Sequence, residues 1–341
     1  MGITIKDIAR ISGYGISTVS RAINNTGYVS DEVRQKIMQV VREYNYVPNN
    51  SARNLKATKS KNIALLVKGI SSPFFSKMIG VIEQQVALRG HPLIIQNIDY
   101  NASELDIAIQ ERQDRNLCGV IIMGGTFGYS QERFQQLGIP CVLLTVSANE
   151  QIPKTLYSSV KLDDEKEGFR ATEYLISLGH RKIGFIYEDV ASRNTPNYLR
   201  FCGYRRALEE YGIPFDSSLV AKNMDAFNAS GYVNGFNCMK QLCAYHPDMT
   251  AVFAFADILA IGAAKAAFSM GYRIPDDISI VGFDGIEAAE FFHPSIDTIY
   301  QPASEMALSS VEILLDMLGG GEAQHKTFEG VLLKRGSCRR L

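Results

Sequence analysis

The chain has 341 residues, 46% hydrophobic and 21% charged, too many for one small domain and apolar enough for two or three folded ones. No apolar run reaches the roughly 18 residues of a membrane span, and Lys6, Asp7 and Arg10 break any signal-peptide core; a cytoplasmic protein without a membrane partner is expected. The net charge of −1 hides a split: residues 1–60 hold nine Lys/Arg against four Asp/Glu, and the rest hold 26 against 32, so a polyanion partner is expected for the head alone.

In chain order, Thr4 is placed to cap a first helix, with Asp7 three residues on closing a capping box. Ile5, Ile8 and Ala9 recur at helical spacing and should face inward. Gly13-Tyr14-Gly15 breaks this helix, and a second runs from about residue 16 to 24. Val19, Ala22 and Ile23 should point inward there, leaving Ile16, Ser17, Ser20 and Arg21 outward. After a turn at 25–27, Ser30 is placed to cap a third helix, with Asp31 and Glu32 favouring its N-terminal end. Its expected core stripe is Val33, Ile37, Val40, Val41 and Tyr44.

Two helices joined by a tight glycine-containing turn make a helix-turn-helix, whose second helix enters the major groove of double-stranded DNA. Arg21 can donate twice to guanine O6 and N7. Ser17 suits base edges or phosphate, Ile16 a thymine methyl, and Thr18 and Ser20 phosphates, which position rather than specify. From spacing alone, an ordinary three-helix subdomain with a solvated face stays open. Residues 48–57 then read as a helix of about two turns, marginal on its own, whose one large apolar side chain, Leu55, lies between Arg53 and Lys56. That composition suits a minor-groove wedge better than a core helix. Residues 58–61 read as a linker.

From residue 62 short apolar runs at 63–67, 92–97, 119–123 and 141–146 alternate with helical stretches near 74–89 and 103–116. A second series has runs at 182–187, 251–256 and 279–284, with helices between them. Such alternation predicts doubly wound parallel sheets, and nearly 280 residues exceed one comfortable core. The expected domains are a head at 1–47, a hinge and linker at 48–61, and a body at 62–341. The body's lobes are expected at about 62–161 plus 293–323 and about 162–292 plus 324–341. Ligands in such folds bind at the carboxyl ends of strands. This selects Ser71–Phe75, Thr145, Tyr187–Arg200, Ala256-Asp257 and Phe283-Asp284.

The cysteines at 118, 141, 202, 238, 243 and 338 form no CxxC, and His180 and His246 have no metal-type spacing to them; buried free thiols are expected. Asp163-Asp164-Glu165 reads as a helix N-terminus, and the glycine-rich 124–128 segment lacks the GK[ST] of a phosphate loop. No cofactor and no catalytic set are expected.

The segments TIKDIARISG, STVSRAIN, VSDEVRQKI and P-x-x-x-A-R-x-L together resemble the lactose/galactose repressor family, which includes the purine repressor. In the body SSPFF is similar to that family's NPFF segment, SLGHRKIGFI to its RGHRxIG signature, and IVGFDGIEAAEFFHPSIDTIYQP to its VGYDN…PxLTTxxQP signature. The likeness runs through the whole chain in order. It implies an all-α helix-turn-helix headpiece on a two-lobed α/β body like the periplasmic binding proteins. It also implies a homodimeric transcription regulator on a pseudo-palindromic operator, with hinge helices that pair in the minor groove and order only on DNA. By position, Ile16, Ser17 and Arg21 would read bases, Leu55 would be the wedge and Lys56 its neighbour; Thr4, Thr18, Ser20, Asn24 and Ala52 complete the implied DNA contacts. For the effector, Phe74, Phe75, Thr145, Arg193, Arg200, Asp257, Phe283 and Asp284 would form the pocket.

The chain departs from the family at Tyr14-Gly15, where Val-Ser is common, and at Asn54, where serine is usual. Ala256-Asp257 replaces the Asn-Asp of many sugar-binding members, and Thr145 stands where several have aspartate. Arg193-Asn194-Thr195 with Phe74-Phe75 resembles the purine repressor's pocket, but the spacing to Arg200 differs by one. A sugar or sugar derivative is the expected effector, with a purine or a phosphoprotein co-repressor as alternatives. An α/β enzyme and a transport-type solute-binding protein are the rival classes.

Overall fold

A computed structural model describes residues 4–24, 27–44, 61–99, 101–125, 129–188, 195–223 and 231–341. The chain divides into two compact units, residues 1–60 and 61–341.

The first unit contains α1 (Ile5–Ser12), α2 (Ile16–Asn24) and α3 (Asp31–Glu43). The capping box at Thr4 and Asp7 forms, and Gly13 ends α1 in the left-handed region at φ 75°, a conformation that costs glycine little. Ile8, Ala9, Val19, Ala22 and Ile37 make the small core, with Ile5, Ile23, Val33, Val40 and Val41 packed around it. Two expectations fail locally. Ser30 occupies the N-cap of α3, but its hydroxyl makes no capping bond. Tyr44 is 42% exposed, because α3 ends at Glu43 and Tyr44 sits past the last turn that faces the core.

The second unit holds two six-stranded sheets. The first is built from β1 (Asn62–Val67), β2 (Leu93–Asn97), β3 (Leu117–Met123), β4 (Cys141–Leu144), β5 (Ser158–Leu162) and β11 (His325–Phe328), in the order β11-β5-β4-β3-β1-β2. All its pairings are parallel. Ile63, Leu65 and Val67 feed one core, while Ala64 and Leu66 feed the other face, the period-two alternation of a doubly covered sheet. Around it lie α4 (Pro73–Leu88), α5 (Glu104–Arg115), α6 (Gln131–Leu137) and α12 (Ala303–Leu318).

The second sheet has the order β12-β10-β9-β8-β6-β7, from β6 (Ile183–Glu188), β7 (Val220–Asn223), β8 (Ala251–Ala254), β9 (Ser279–Asp284), β10 (Asp297–Tyr300) and β12 (Val331–Leu333). It is parallel except for β12, which runs against β10. Two helix pairs pack over it: α7 (Asp164–Ser177) with α8 (Pro196–Glu210), and α9 (Gly231–Tyr245) with α10 (Asp257–Ser269). The short α11 (Glu287–Phe291) follows β9.

The sheets correct the expected lobe boundaries. Residues 297–300 belong to the second lobe, because β10 lies beside β9 with Thr298 opposite Gly282. Residues 325–328 belong to the first, because β11 lies beside β5 with His325 opposite Ser159. The chain therefore crosses between lobes near residues 163, 301 and 329. The third crossing is pinned by the fully buried Glu167 of α7, which accepts from the Gly330 amide at 2.9 Å and from Arg170 Nη1 at 2.7 Å.

Candidate functional site

The exposed face of α2 is fixed by what it buries. Val19 and Ala22 are in the core, so Ile16 (48% exposed), Ser17 and Arg21 face outward, with Thr18 and Ser20 half-buried on the flanks. The Arg21 stem passes near Gly27, where a side chain would begin 3.5 Å from its Cδ. Thr4 has a structural task instead. Its amide and hydroxyl both donate to Asp7 Oδ2, at 3.0 and 2.6 Å, so a phosphate contact through its hydroxyl would displace the cap. Those bonds hold the Asp7 carboxyl below its ordinary range. Asn24 closes α2. Ala52, Leu55 and Lys56 lie outside the described residues, as do Arg53 and Asn54.

In the body, α7 and α8 cross at glycines. A Cβ on Gly168 would lie 2.5 Å from Arg200 O, and one on Gly203 would collide with Glu165 O. This close approach seats Arg200 of α8 beside Asp164, the first residue of α7. Arg200 Nε donates to Asp164 Oδ1 at 2.9 Å and Nη1 to Phe255 O at 2.7 Å. Asp284 Oδ1 lies 3.6 Å from Nη1, and the guanidinium carbon sits 3.6 Å over the centre of the Phe283 ring, a cation–π distance. The arginine is thus fixed in position and orientation before any ligand arrives.

Asp284 ends β9 with φ at 107°, and Thr145 follows β4 with φ at 68°. Non-glycine residues reach this region at a cost of about 1–3 kcal/mol, and such outliers gather at ligand sites. Gln301 Nε2 donates to Asp284 Oδ1 at 2.7 Å. Burial pushes the Asp284 carboxyl up to about 6, against the pull of Arg200 and Gln301. Burial also raises Asp164, with Arg200 again opposing.

Arg200, Asp284, Thr145 and Gln301 wall a chamber of about 270 Å³ between the lobes, with Phe74, Phe75, Ser72 and Lys68 from the first lobe and Thr195, Asn197 and Ala256 from the second. Of the expected effector residues, Phe74, Phe75, Thr145, Arg200 and Asp284 meet there. Phe74 and Phe75, in the first turn of α4 behind Pro73, have ring centres 5.7 Å apart. Asp257 and Phe283 are not among the walls. Phe283 is fully buried beneath the Arg200 guanidinium. Asp257 is fully buried and accepts from the Ile286 amide at 2.8 Å and from Thr298 Oγ1 at 2.7 Å. It ties the loop after Asp284 to α10 and β10. Burial, with the nearby Asp284 charge adding, pushes its carboxyl up to about 8. Arg193 lies outside the described residues.

Sequence reasoning missed Gln301 and Lys68. Lys68 follows β1, so the rule that selected Thr145 applies to it equally; Gln301 follows β10, a four-residue strand whose pattern is too short to read. Lys68 Nζ pairs with Glu104 Oε1 at 2.6 Å and donates to Ala102 O at 2.9 Å, almost without exposure. Among the described residues no cluster of metal-ligating side chains occurs and no helix is long and apolar enough to cross a membrane. Asp163 caps α7 as expected, accepting from the Lys166 amide at 3.2 Å. The six cysteines are free, but Cys118, Cys202 and Cys338 are only half-buried, because each sits at the margin of its core.

A helix-turn-helix unit followed in the chain by a two-lobed body with a ligand-sized chamber defines the class: a ligand-responsive, DNA-binding transcription regulator. Residues 4–49 match the bacterial regulatory proteins of the lacI family, and residues 172–338 match the periplasmic binding protein-like domain. The chain is 39% identical over 342 residues to the HTH-type transcriptional regulator MalR of Clostridium butyricum, covering 98% of each. It is 33% identical to the ribose operon repressor of Haemophilus influenzae, covering 95% of this chain and 94% of that one. Among solved structures it is similar to a transcriptional regulator CelR–cellobiose complex, with 26% identity, a TM-score of 0.71, and coverage of 98% and 99%. The operator-bound lac repressor dimer shares the fold, at 22% identity and a TM-score of 0.72, with 99% and 100% covered. The chain belongs to the lacI family of bacterial regulatory proteins, and its relatives are regulators rather than enzymes.

Proposed function

We propose that the protein is a repressor that works as a homodimer on a pseudo-palindromic operator and is switched by a sugar or sugar derivative held between the lobes. The observation that carries the effector class is the Arg200–Asp284 pair on the chamber wall. Arg200 Nη2 makes no hydrogen bond to another described residue, nor does Asp284 Oδ2. A fixed donor beside a fixed acceptor matches adjacent ring hydroxyls, each of which donates and accepts. Phe74 and Phe75 supply the apolar surface for a ring face. The ribose operon repressor and the structures solved with cellobiose and with ribose support the same class.

Effector binding biases the angle between the lobes, and residues 48–60 pass that bias to the head. Such couplings are typically worth about 1–3 kcal/mol. Ile16, Ser17 and Arg21 choose the site, and Leu55 wedges the minor groove. Leu55→Ala should weaken operator binding much more than binding to random DNA; equal losses on both would refute the wedge.

The effector is tested by a thermal-shift screen of sugars, sugar phosphates and nucleobases on the full chain. A ligand at a hundred times its dissociation constant adds about 2.7 kcal/mol. At least one sugar should stabilise the wild type and not Arg200→Ala. Stabilisation by nucleobases alone would replace the sugar with a purine, the reading that the phenylalanine pair favours next.

A further inference from the structure

A cavity of about 310 Å³ lies within the second lobe, between α8 and the edge of its sheet, with Tyr187, Tyr198, Phe201, Phe215, Val220 and Lys222 among its walls. It shares no described wall with the effector chamber, which takes Thr195, Asn197 and Arg200 from the same helix. Its volume is at the lower end of the roughly 300–1,000 Å³ of ordinary ligand pockets.

Local geometry gathers the rings. Tyr198, Phe201 and Arg205 follow one another at i, i+3 and i+7 and so share one face of α8, while Arg200 turns to the chamber. That face meets the sheet at its edge. Tyr187 of β6 is in register with Lys222 of the edge strand β7, so both side chains rise on the same side of the sheet. The Phe201 ring centre lies 5.8 Å from that of Tyr187, 6.4 Å from that of Tyr198 and 6.0 Å from that of Phe215, at interplanar angles of 45°, 57° and 68°. Phe215 is 40% exposed, so these rings are not a closed core. They offer faces and edges to one more ring.

Charge selects what that ring carries. The Arg205 guanidinium carbon stands 4.9 Å from the Phe215 ring centre and 5.9 Å from that of Phe201. Arg205 is exposed and makes no hydrogen bond or ion pair with another described residue. Lys222 adds a second cation on the wall, and no carboxylate is among the described walls. Asp216, beside Phe215, is turned to the Ser218 amide at 2.9 Å. Rings alone would suit an organic ammonium, but these already carry one cation and stand beside another, so a third would be repelled. A flat ring bearing an anion satisfies the rings and the cations together. We infer that this cavity is a second ligand site, for a small aromatic carboxylate whose ring stacks among the four aromatic side chains and whose carboxylate faces Lys222, with Arg205 at the rim. The site stands whatever the effector between the lobes is.

The test is calorimetric titration of the full chain with benzoate, salicylate, 4-hydroxybenzoate and indole-3-acetate, against the amides of the same acids and benzyltrimethylammonium. At least one acid should bind once per chain and at least about tenfold tighter than its amide, a difference of about 1.4 kcal/mol, and the ammonium should not compete with it. Lys222→Gln should bring the acid down to the affinity of the amide, and Phe215→Ala should weaken both. Both side chains are exposed, so the fold should survive either change. Phe75→Ala, in the effector chamber, should alter neither affinity. Binding lost in Phe75→Ala and kept in Phe215→Ala would place the aromatic ligand between the lobes and overturn the second site. An acid no tighter than its amide, or an ammonium that displaces it, would overturn the anionic class. No binding by any of the acids would overturn the inference as a whole.

Discussion

Asp257 and Asp284 are separate parts of one buried network, and their titration distinguishes them. Asp284 faces Arg200 of α8, Asp164 of α7 and Gln301 after β10. Asp257 has neutral hydrogen-bond donors, the Ile286 and Gly285 amides and Thr298 Oγ1, and the like charge of Asp284. Both folded carboxyls are raised, to about 6 and about 8, from an ordinary 3.8. The folded state then binds more protons than the unfolded chain above pH 4. Stability contributed by these groups is complete below about pH 4 and is lost as pH rises through 6 for Asp284 and 8 for Asp257. The lowered His180 acts with the opposite sign below about 6.5, so a variant must isolate the effect. Asp257→Asn keeps an acceptor for Ile286 N and offers an amide to Thr298 Oγ1. Urea midpoints should show the wild type losing stability between pH 6 and 8 relative to Asp257→Asn. Parallel curves would mean that Asp257 is already ionised at pH 6. The sequence marked Asp257 as a ligand residue because it follows a strand end. Strand-end position places a side chain near a cleft, but only packing decides whether it turns toward the chamber or back into the wall.

Among the elements, the head helices were the most legible, since capping and a 3.6-residue period are local properties. Thr4, Asp7, Gly13 and Val19 state their roles within a few residues. Strand membership was less legible. The polar SSVKL of β5 and the four-residue β10 and β11 carry too little pattern to be read as strands. The partner of β11, β5, lies far away in sequence, and β10 keeps the chain in the second lobe for one more strand before it crosses, so neither strand's lobe is legible locally. The same split between local and distant causes gives a prediction for the head. Thr4→Ala should cost about 1 kcal/mol of head stability through loss of the cap and leave base preference intact. Arg21→Ala should leave stability unchanged, because its side chain is exposed, and relax base choice at one position per half-site. Thermal melts and selection from a randomised operator separate the two. An unchanged selected motif for Arg21→Ala would remove it from the reading set.

For the whole molecule, the charge split assigns DNA to the basic head and leaves dimerisation to the body. The body carries an exposed apolar region that fits this task. Tyr232 and Val233 at the start of α9 are 40% and 47% exposed, Phe268 of α10 is 39% exposed, and Phe291 of α11 is 79% exposed. Between them lies a hollow lined by Phe236, Ile261 and Phe292, with almost no polar surface. Apolar patches of this kind mark protein–protein contacts, and a two-fold dimer needs one self-complementary face. Val233→Asp with Phe291→Asp should therefore yield monomers in sedimentation experiments at micromolar concentration. Effector affinity should persist, since neither Val233 nor Phe291 lines the chamber. Operator affinity should fall by on the order of a hundredfold or more, because two linked heads gain that much over one. A variant that still sediments as a dimer would place the interface elsewhere on the body. A monomer with unchanged operator affinity would remove the dimer from the DNA-binding mechanism.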